Sequence, residues 1–490
     1  MPKLCLPVVV LHLPKAMQRK FLSNLAFLLF LNLLVKPFWI FGIDRAVQNE
    51  VGAEAYGSYF ALFNFAFILN VFLDLGISNF NNRNVSQHEH LLGKYFPRIV
   101  ALRLILAVGY LVICMAAAIA LDYSSHQIMI LMLLCFNQFL LSTILFLRSN
   151  IAGMQLFKTD SLVSIMDRLL MIITCGWVLF FMQRDVAFQI EWFVYLQTFA
   201  YATTAAFALA VVLKRGGPFT MKWNPAMLVL ILKQSLPFAL LILLMSIYGR
   251  VDSVLLERML ENGKEQTGIY AQAFRLLDAS NMIAYLFAVL LLPMFSRMLK
   301  LKEDVKPLVY MASKLILIPA FTLGIICWRF GNELMMLLYH AHVEESGQIL
   351  SLLMFSLIPM AGAYIIGTLL TANGSLKQLN TIAFIGVISS FILNLSLIPK
   401  LEAYGAAASC LGTQLLTFLL QFVVAVRLFR FRFDKQVLFL SVPILVIFII
   451  AQLLPAVLWY AQAITLLVAG GVFTVVSLLP DLRIIRYIRS

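Results

Sequence analysis

The stretch "LFLSVPILVIFIIAQLLPAVLWY" runs from Leu438 to Tyr460 without a single charged side chain. A helix needs about 20 apolar residues to cross the hydrocarbon core of a bilayer, and this run exceeds that. Similar runs recur along the chain, beginning with "LAFLLFLNLLV" at Leu25. The whole chain of 490 residues is 62% hydrophobic and 12% charged, with a mean hydropathy of +0.93. No soluble core has room for that surplus. Within a bilayer every backbone polar group needs a partner in the protein, so a spanning chain forms helices or a closed barrel. Barrel strands alternate over about ten residues, and these runs do not alternate. The sequence therefore predicts an all-α integral membrane protein.

Counting the runs gives about 14 transmembrane helices, near 21–43, 57–80, 98–120, 127–148, 161–182, 189–213, 226–249, 268–296, 308–329, 347–371, 378–398, 403–427, 437–457 and 460–480. The net charge of +14 is spread in twos and threes between them. That spacing suits positive cytosolic loops and gives no basic domain for nucleic acid. The inside loops carry Arg83, Lys94, Arg148, Lys158, Lys214, Lys233, Arg297, Lys302, Lys377, Arg427 and Arg432. The alternate loops carry Glu50, Glu54, Asp122, Glu191, Glu261, Glu265 and Glu344. Both termini are accordingly expected in the cytosol. The first residues, "MPKLCLPVVVLHLPKAMQRK", lack a small-x-small cleavage site and are expected to form a cytosolic tail, with Met17 an alternative start.

The chain repeats itself. "EAYGSYFALF" from Glu54 resembles "EQTGIYAQAF" from Glu265, and an offset of 211 carries Gly57, Tyr59 and Phe63 onto Gly268, Tyr270 and Phe274. The same offset takes "RLIL" at Arg103 to "KLIL" at Lys314, while "GIDRAVQNE" at Gly42 resembles "GRVDSVLLE" at Gly249 after a small slip. A parallel repeat implies two pseudo-symmetric six-helix bundles with a substrate site between them. The expected divisions are a tail at 1–20, a first bundle at 21–213, a linker at 214–225, a second bundle at 226–427, and an accessory helix pair with a basic tail at 428–490.

Charges inside apolar runs cost about 2.5–3.5 kcal/mol each on insertion scales, so they usually face a partner or a cavity. The runs hold Lys36, Asp74, Arg103, Asp167, Arg168, Arg250, Asp252, Arg275 and Asp278, whereas Gln436 to Pro480 holds none. Lys36 precedes Pro37, whose missing N–H should open the first helix locally. At 100° per residue, Tyr56, Phe60, Phe63, Phe67, Asn70, Asp74, Ser78 and Asn81 share a face. Asp74 on that face is either a polar member of a transport path or the partner of an arginine. Arg275–Asp278 and Asp167–Arg168 are candidate ion pairs, and Arg103 and Arg250 lie close enough to helix ends to snorkel. The six cysteines stand singly and read as small hydrophobes. The clusters at His88–His90 and His340–His342 lack further ligands, so no metal is expected.

Four stretches carry a family resemblance: "GAEAYGSYFALFNFAFILNVFLDLGISN", "YGRVDSVLLERM", "GIYAQAFRLLDA" and "ILNLSLIPKLEAYGAAAS", the last with Asn394, Pro399, Gly405 and Ala406. With the doubled bundle, they resemble polysaccharide repeat-unit (O-antigen-type) flippases of the multidrug/oligosaccharidyl-lipid/polysaccharide exporter superfamily. The resemblance implies a V-shaped transporter of the bacterial inner membrane. It would move undecaprenyl-diphosphate-linked oligosaccharide to the periplasmic leaflet by alternating access, ahead of the polymerase and chain-length machinery. Lys36, Arg168, Arg250 and Arg275 would line a cationic cavity that counters the diphosphate. Asp74, Asp167, Asp252 and Asp278 would couple an ion, H+ or Na+, or hold the basic residues in place. No cofactor is implied, GxxxxGK[ST] is absent, and no outside loop is long enough for a catalytic domain, so an enzyme is not expected. The competing readings are a multidrug/cation antiporter and a lipid II flippase of the same superfamily.

Overall fold

The computed structural model describes residues 31–32, 34–76, 92–154, 156–182, 187–215, 225–431, 435–453 and 458–489. Among them there are helices and turns but no strand. The expected tail at 1–20 lies outside the described residues, as do Ser78, Asn81, Arg83 and His88–His90. The chain divides into two compact units, Met1–Glu257 and Arg258–Ser490.

The first unit begins with α1 (34–51) and α2 (53–69), between which Gly52 has φ 78° and ψ 170°. Only glycine adopts such a conformation without strain. The chain reverses here. Twenty residues of straight helix would separate Trp39 from Tyr59 by about 30 Å, yet both rings pack on Phe193, at 5.9 and 5.3 Å. Pro37 has the expected effect, since α1 widens into a π-helix at Trp39–Asp44 directly after it. The second helix ends earlier than its apolar run suggests. A 3-10 turn at Asn70–Leu73 follows α2, and Leu75 and Gly76 then take φ of 44° and 82°. Asp74 is therefore at the foot of the described helix.

Next come α3 (Leu92–Ala120), α4 (Ser125–Gly153), α5 (Phe157–Trp177) and α6 (Ile190–Arg215). Ser124 and Gln127 close a capping box at the start of α4. Apolar residues from these four helices, including Ile99, Ile144, Phe146, Val163, Tyr201 and Val212, form one packed core. Helix α7 (Pro225–Met259) crosses into the second unit.

The second unit holds α8 (Gly263–Leu301), α9 (Lys306–Leu338), α10 (Val343–Ala372), and one helical stretch, Leu376–Phe429, that Glu402 breaks into α11 (376–401) and α12 (403–429). Glu402 has φ 49° and ψ −130°, a strained geometry for a residue with a side chain. Its neighbourhood holds it there: Asn262 donates to its carboxylate at 3.4 Å, and the Ala403 N–H donates to Gln266 at 3.2 Å. The chain folds back so tightly that a Cβ on Gly405 would fall 2.5 Å from the Leu397 carbonyl oxygen. Eight residues of straight helix would span about 12 Å. Glycine at this position is thus a packing requirement.

Helices α13 (Lys435–Leu453) and α14 (Trp459–Arg489) close the chain. They dock on α9, where Ile318, Ile325 and Phe330 meet Ile447, Ala451 and Leu466. Arg329 adds a hydrogen bond to Gln462 at 3.3 Å. The repeat is visible in local geometry. Tyr59–Phe63 and Tyr270–Phe274, related by the offset of 211, form the same tilted pair at 6.0 and 5.3 Å. Eleven helical segments among the described residues are long and apolar enough to cross a membrane, with Leu34–Leu73 and Leu376–Phe429 each counted once.

Candidate functional site

In the first unit the opened part of α1 meets α5 and α6. Arg168 of α5 stands with its guanidinium carbon 5.4 Å from the Trp39 ring and 5.9 Å from the Tyr201 ring. Its Nε is 3.5 Å from the Asp167 carboxylate. The two rings are themselves fixed. Trp39 stacks on Phe193 with 9° between planes, and the Tyr201 hydroxyl accepts from Gln197 at 3.4 Å, which in turn accepts from Asn137 at 3.3 Å. Lys36, one turn before Trp39, is half-buried. The charges acting on it are those of Arg168, Asp167 and Arg148. Arg148 is engaged elsewhere, donating twice to Asp160 at 2.8 and 3.3 Å. The structure thus brings Lys36, Asp167 and Arg168 together. Lys36 and Arg168 stand here with Asp167 beside Arg168, and two cations so placed favour an anion.

Asp74 has a different setting. It forms an ion pair with Arg103, whose guanidinium also bonds Ser142 and lies 5.0 Å from the Phe146 ring. Arg103 is only 4% exposed, so it does not snorkel as its position near a helix end suggested.

Along α7 one stripe bonds to the rest of the first unit. Arg250 lies 5.4 Å over the Phe67 ring, Ser253 accepts from Asn64 at 2.9 Å, and Glu257 accepts from Gln127 at 2.8 Å. These three positions recur at helical spacing. Asp252 beside them is 1% exposed. Arg275 and Asp278 belong to the second unit, one turn apart and half-buried on α8.

Two buried ions escaped the sequence reading. Asp44, also 1% exposed, accepts from the Tyr56 hydroxyl at 3.0 and 3.1 Å and from Gln48 at 3.2 Å. The similarity of "GIDRAVQNE" to "GRVDSVLLE" had already set it beside Asp252. Lys314, the repeat partner of Arg103, is likewise buried. Among the described residues no group of three His, Cys, Asp or Glu could hold a metal ion. His342 sits 3.4 Å from Glu265 and 3.6 Å from Glu345.

A multi-pass helical membrane protein that organises charge inside its helices has the build of a transporter. The sequence model of the polysaccharide biosynthesis protein family matches residues 21–299, more than half of the chain, and the chain belongs to that family. No curated protein sequence matches. Among solved structures, the fold is similar to lipid II flippase MurJ in an inward closed conformation, with a TM-score of 0.71, 14% identity, 92% of this chain and 98% of that one covered. It is also similar to an outward-facing multidrug resistance MATE family transporter of the MOP superfamily, at TM-score 0.55, 15% identity and coverage of 83% and 95%. A MOP superfamily transporter from Pyrococcus furiosus, described by the reverse polarity of its binding pocket, matches at TM-score 0.59, 14% identity and the same two coverages, 83% and 95%. At these identities the likeness is one of fold.

Proposed function

We propose that the protein is a flippase that moves undecaprenyl-diphosphate-linked oligosaccharide repeat units across the bacterial inner membrane for surface polysaccharide assembly. The observation that carries this reading is the meeting of Lys36 and Arg168 beside Asp167. Like charges in a low-dielectric site repel, and a bound diphosphate relieves that cost. Arginine adds a planar fork suited to phosphate oxygens. Membership of the polysaccharide biosynthesis protein family supports a glycan-bearing cargo.

Fourteen spans fit the architecture. The reversals at Gly52 and Glu402 each make two spans of one apolar segment, and Ser441–Leu453 adds a shorter one. With Lys and Arg loops inside, both termini are cytosolic. Arg250 in the first unit and Arg275 in the second are the further cations of this reading, and alternating access moves the cargo. The pairing of Asp74 with Arg103 supports the charge-partner role for Asp74. Asp167, Asp252 and Asp278, joined by Asp44, are then the carboxylates left for H+ or Na+ coupling.

The test is export in a deletion strain complemented with Arg168→Ala or Lys36→Ala. Loss of surface polysaccharide at normal membrane abundance, with lipid-linked repeat units accumulating, supports the proposal. Normal polysaccharide with accumulated lipid II points instead to the lipid II reading, which the fold likeness to MurJ favours.

A further inference from the structure

Helix α8 has three kinds of face. Leu277, Ala284, Ala288 and Phe295 are buried against the rest of the second unit. Ile283 and Met294, 48% and 46% exposed, share an aliphatic face suited to lipid. On the side opposite Ile283 lie Asp278, Asn281 and Tyr285, and Arg275, one turn before Asp278, stands between the two faces. Charged and amide side chains within a membrane face a protein partner or a cavity, so this last face is turned away from lipid.

Beyond the two charged residues, the stripe turns into amide and aromatic groups. Asn281 donates through Nδ2 to the Tyr364 hydroxyl of α10 at 3.2 Å, while its Oδ1 makes no hydrogen bond. The rings of Tyr285 and Tyr364 meet edge to face at 6.1 Å and 71°. Tyr285 is 53% exposed. The face of a tyrosine ring carries negative quadrupole density. The polarised C–H groups of a pyranose stack on such a face, and Asn281 holds the Tyr364 hydroxyl beside it. A lipid tail needs neither.

We infer that Tyr285, Tyr364 and Asn281 form a carbohydrate subsite on α8 and α10 that reads the glycan of the cargo. Its use rests on the flippase reading above. Ten residues of helix place Tyr285 about 15 Å along from Arg275, a distance that the sugars of a chain whose phosphate meets Arg275 span. The subsite therefore distinguishes the loaded lipid from its bare diphosphate carrier.

The experiment measures binding to purified full-length protein of two probes: undecaprenyl diphosphate, and the lipid-linked glycan pool extracted from a strain lacking the gene. Wild type should bind the glycan-bearing pool more tightly. Tyr285→Ala should weaken that binding about five- to tenfold and leave the bare lipid unchanged, with Tyr285→Phe behaving as wild type. Asn281→Ala should weaken only the glycan-bearing pool. Equal losses on both probes, or none on either, overturn the subsite while leaving the flippase reading intact. Failure of wild type to bind either probe overturns both.

Discussion

Arg168 lies across the face of Trp39 at 5.4 Å, and Trp39 is held in turn by stacking on Phe193. The π-helical opening after Pro37 places that indole, so a proline in α1 is linked to the aim of an arginine in α5. A cation on a desolvated aromatic face gains about 0.5–2 kcal/mol. Trp39→Ala should therefore lower export roughly three- to thirtyfold. Trp39→Phe keeps an aromatic face and should retain most of the activity. Equal loss in both variants would show that the indole matters for packing alone.

Asp74 and Arg103 make the next test. Removing the acid strands a guanidinium that is 4% exposed, and breaking a buried pair costs about 3–5 kcal/mol. Asp74→Ala should sharply reduce membrane abundance, and the double variant Asp74→Ala/Arg103→Leu should recover much of it. Asp74→Asn, where folded, should keep the dependence of flipping on the ion gradient. Loss of that dependence would return Asp74 to the coupling path.

Gly405 should tolerate no larger side chain. Gly405→Val should lower the melting temperature of the detergent-solubilised protein, because overpacking costs about 1–3 kcal/mol or more. Gly471→Ala is the control, as a Cβ there meets nothing within 4 Å and should leave stability unchanged or slightly raised. Equal melting of Gly405→Val and wild type would contradict the close turn between α11 and α12.

Much of this was legible in the sequence, because apolar length reports directly on helices. Most helices lie within a few residues of their apolar runs, and the sequence divides two of them between 398 and 403, where Glu402 makes the break. The foot of α2 was not legible, since Leu75 in a left-handed conformation leaves no mark in hydropathy. Asp44 was passed over because it falls at the end of its apolar run, where a charge reads as solvated. Its burial comes from the reversal at Gly52, which brings the Tyr56 hydroxyl back to it. The clustering of Lys36 with Arg168 depends on helix packing and not on periodicity within either helix.

The reversals also predict topology. Reporter insertions after Gly52 and after Glu402 should both be periplasmic, with an insertion near Lys377 cytosolic. A cytosolic signal at Glu402 would contradict separate spans for α11 and α12.

The most direct test of the central claim asks on which leaflet the cargo resides. Spheroplasts from strains carrying wild type, Lys36→Ala or Arg168→Ala can be treated with a membrane-impermeant reagent that labels lipid-linked glycan on the outer leaflet. Wild-type cells should label, while either variant, present at normal abundance, should hold its lipid-linked repeat units protected on the inner leaflet. Full labelling in both variants would contradict a role for this cationic pair in carrying the diphosphate across.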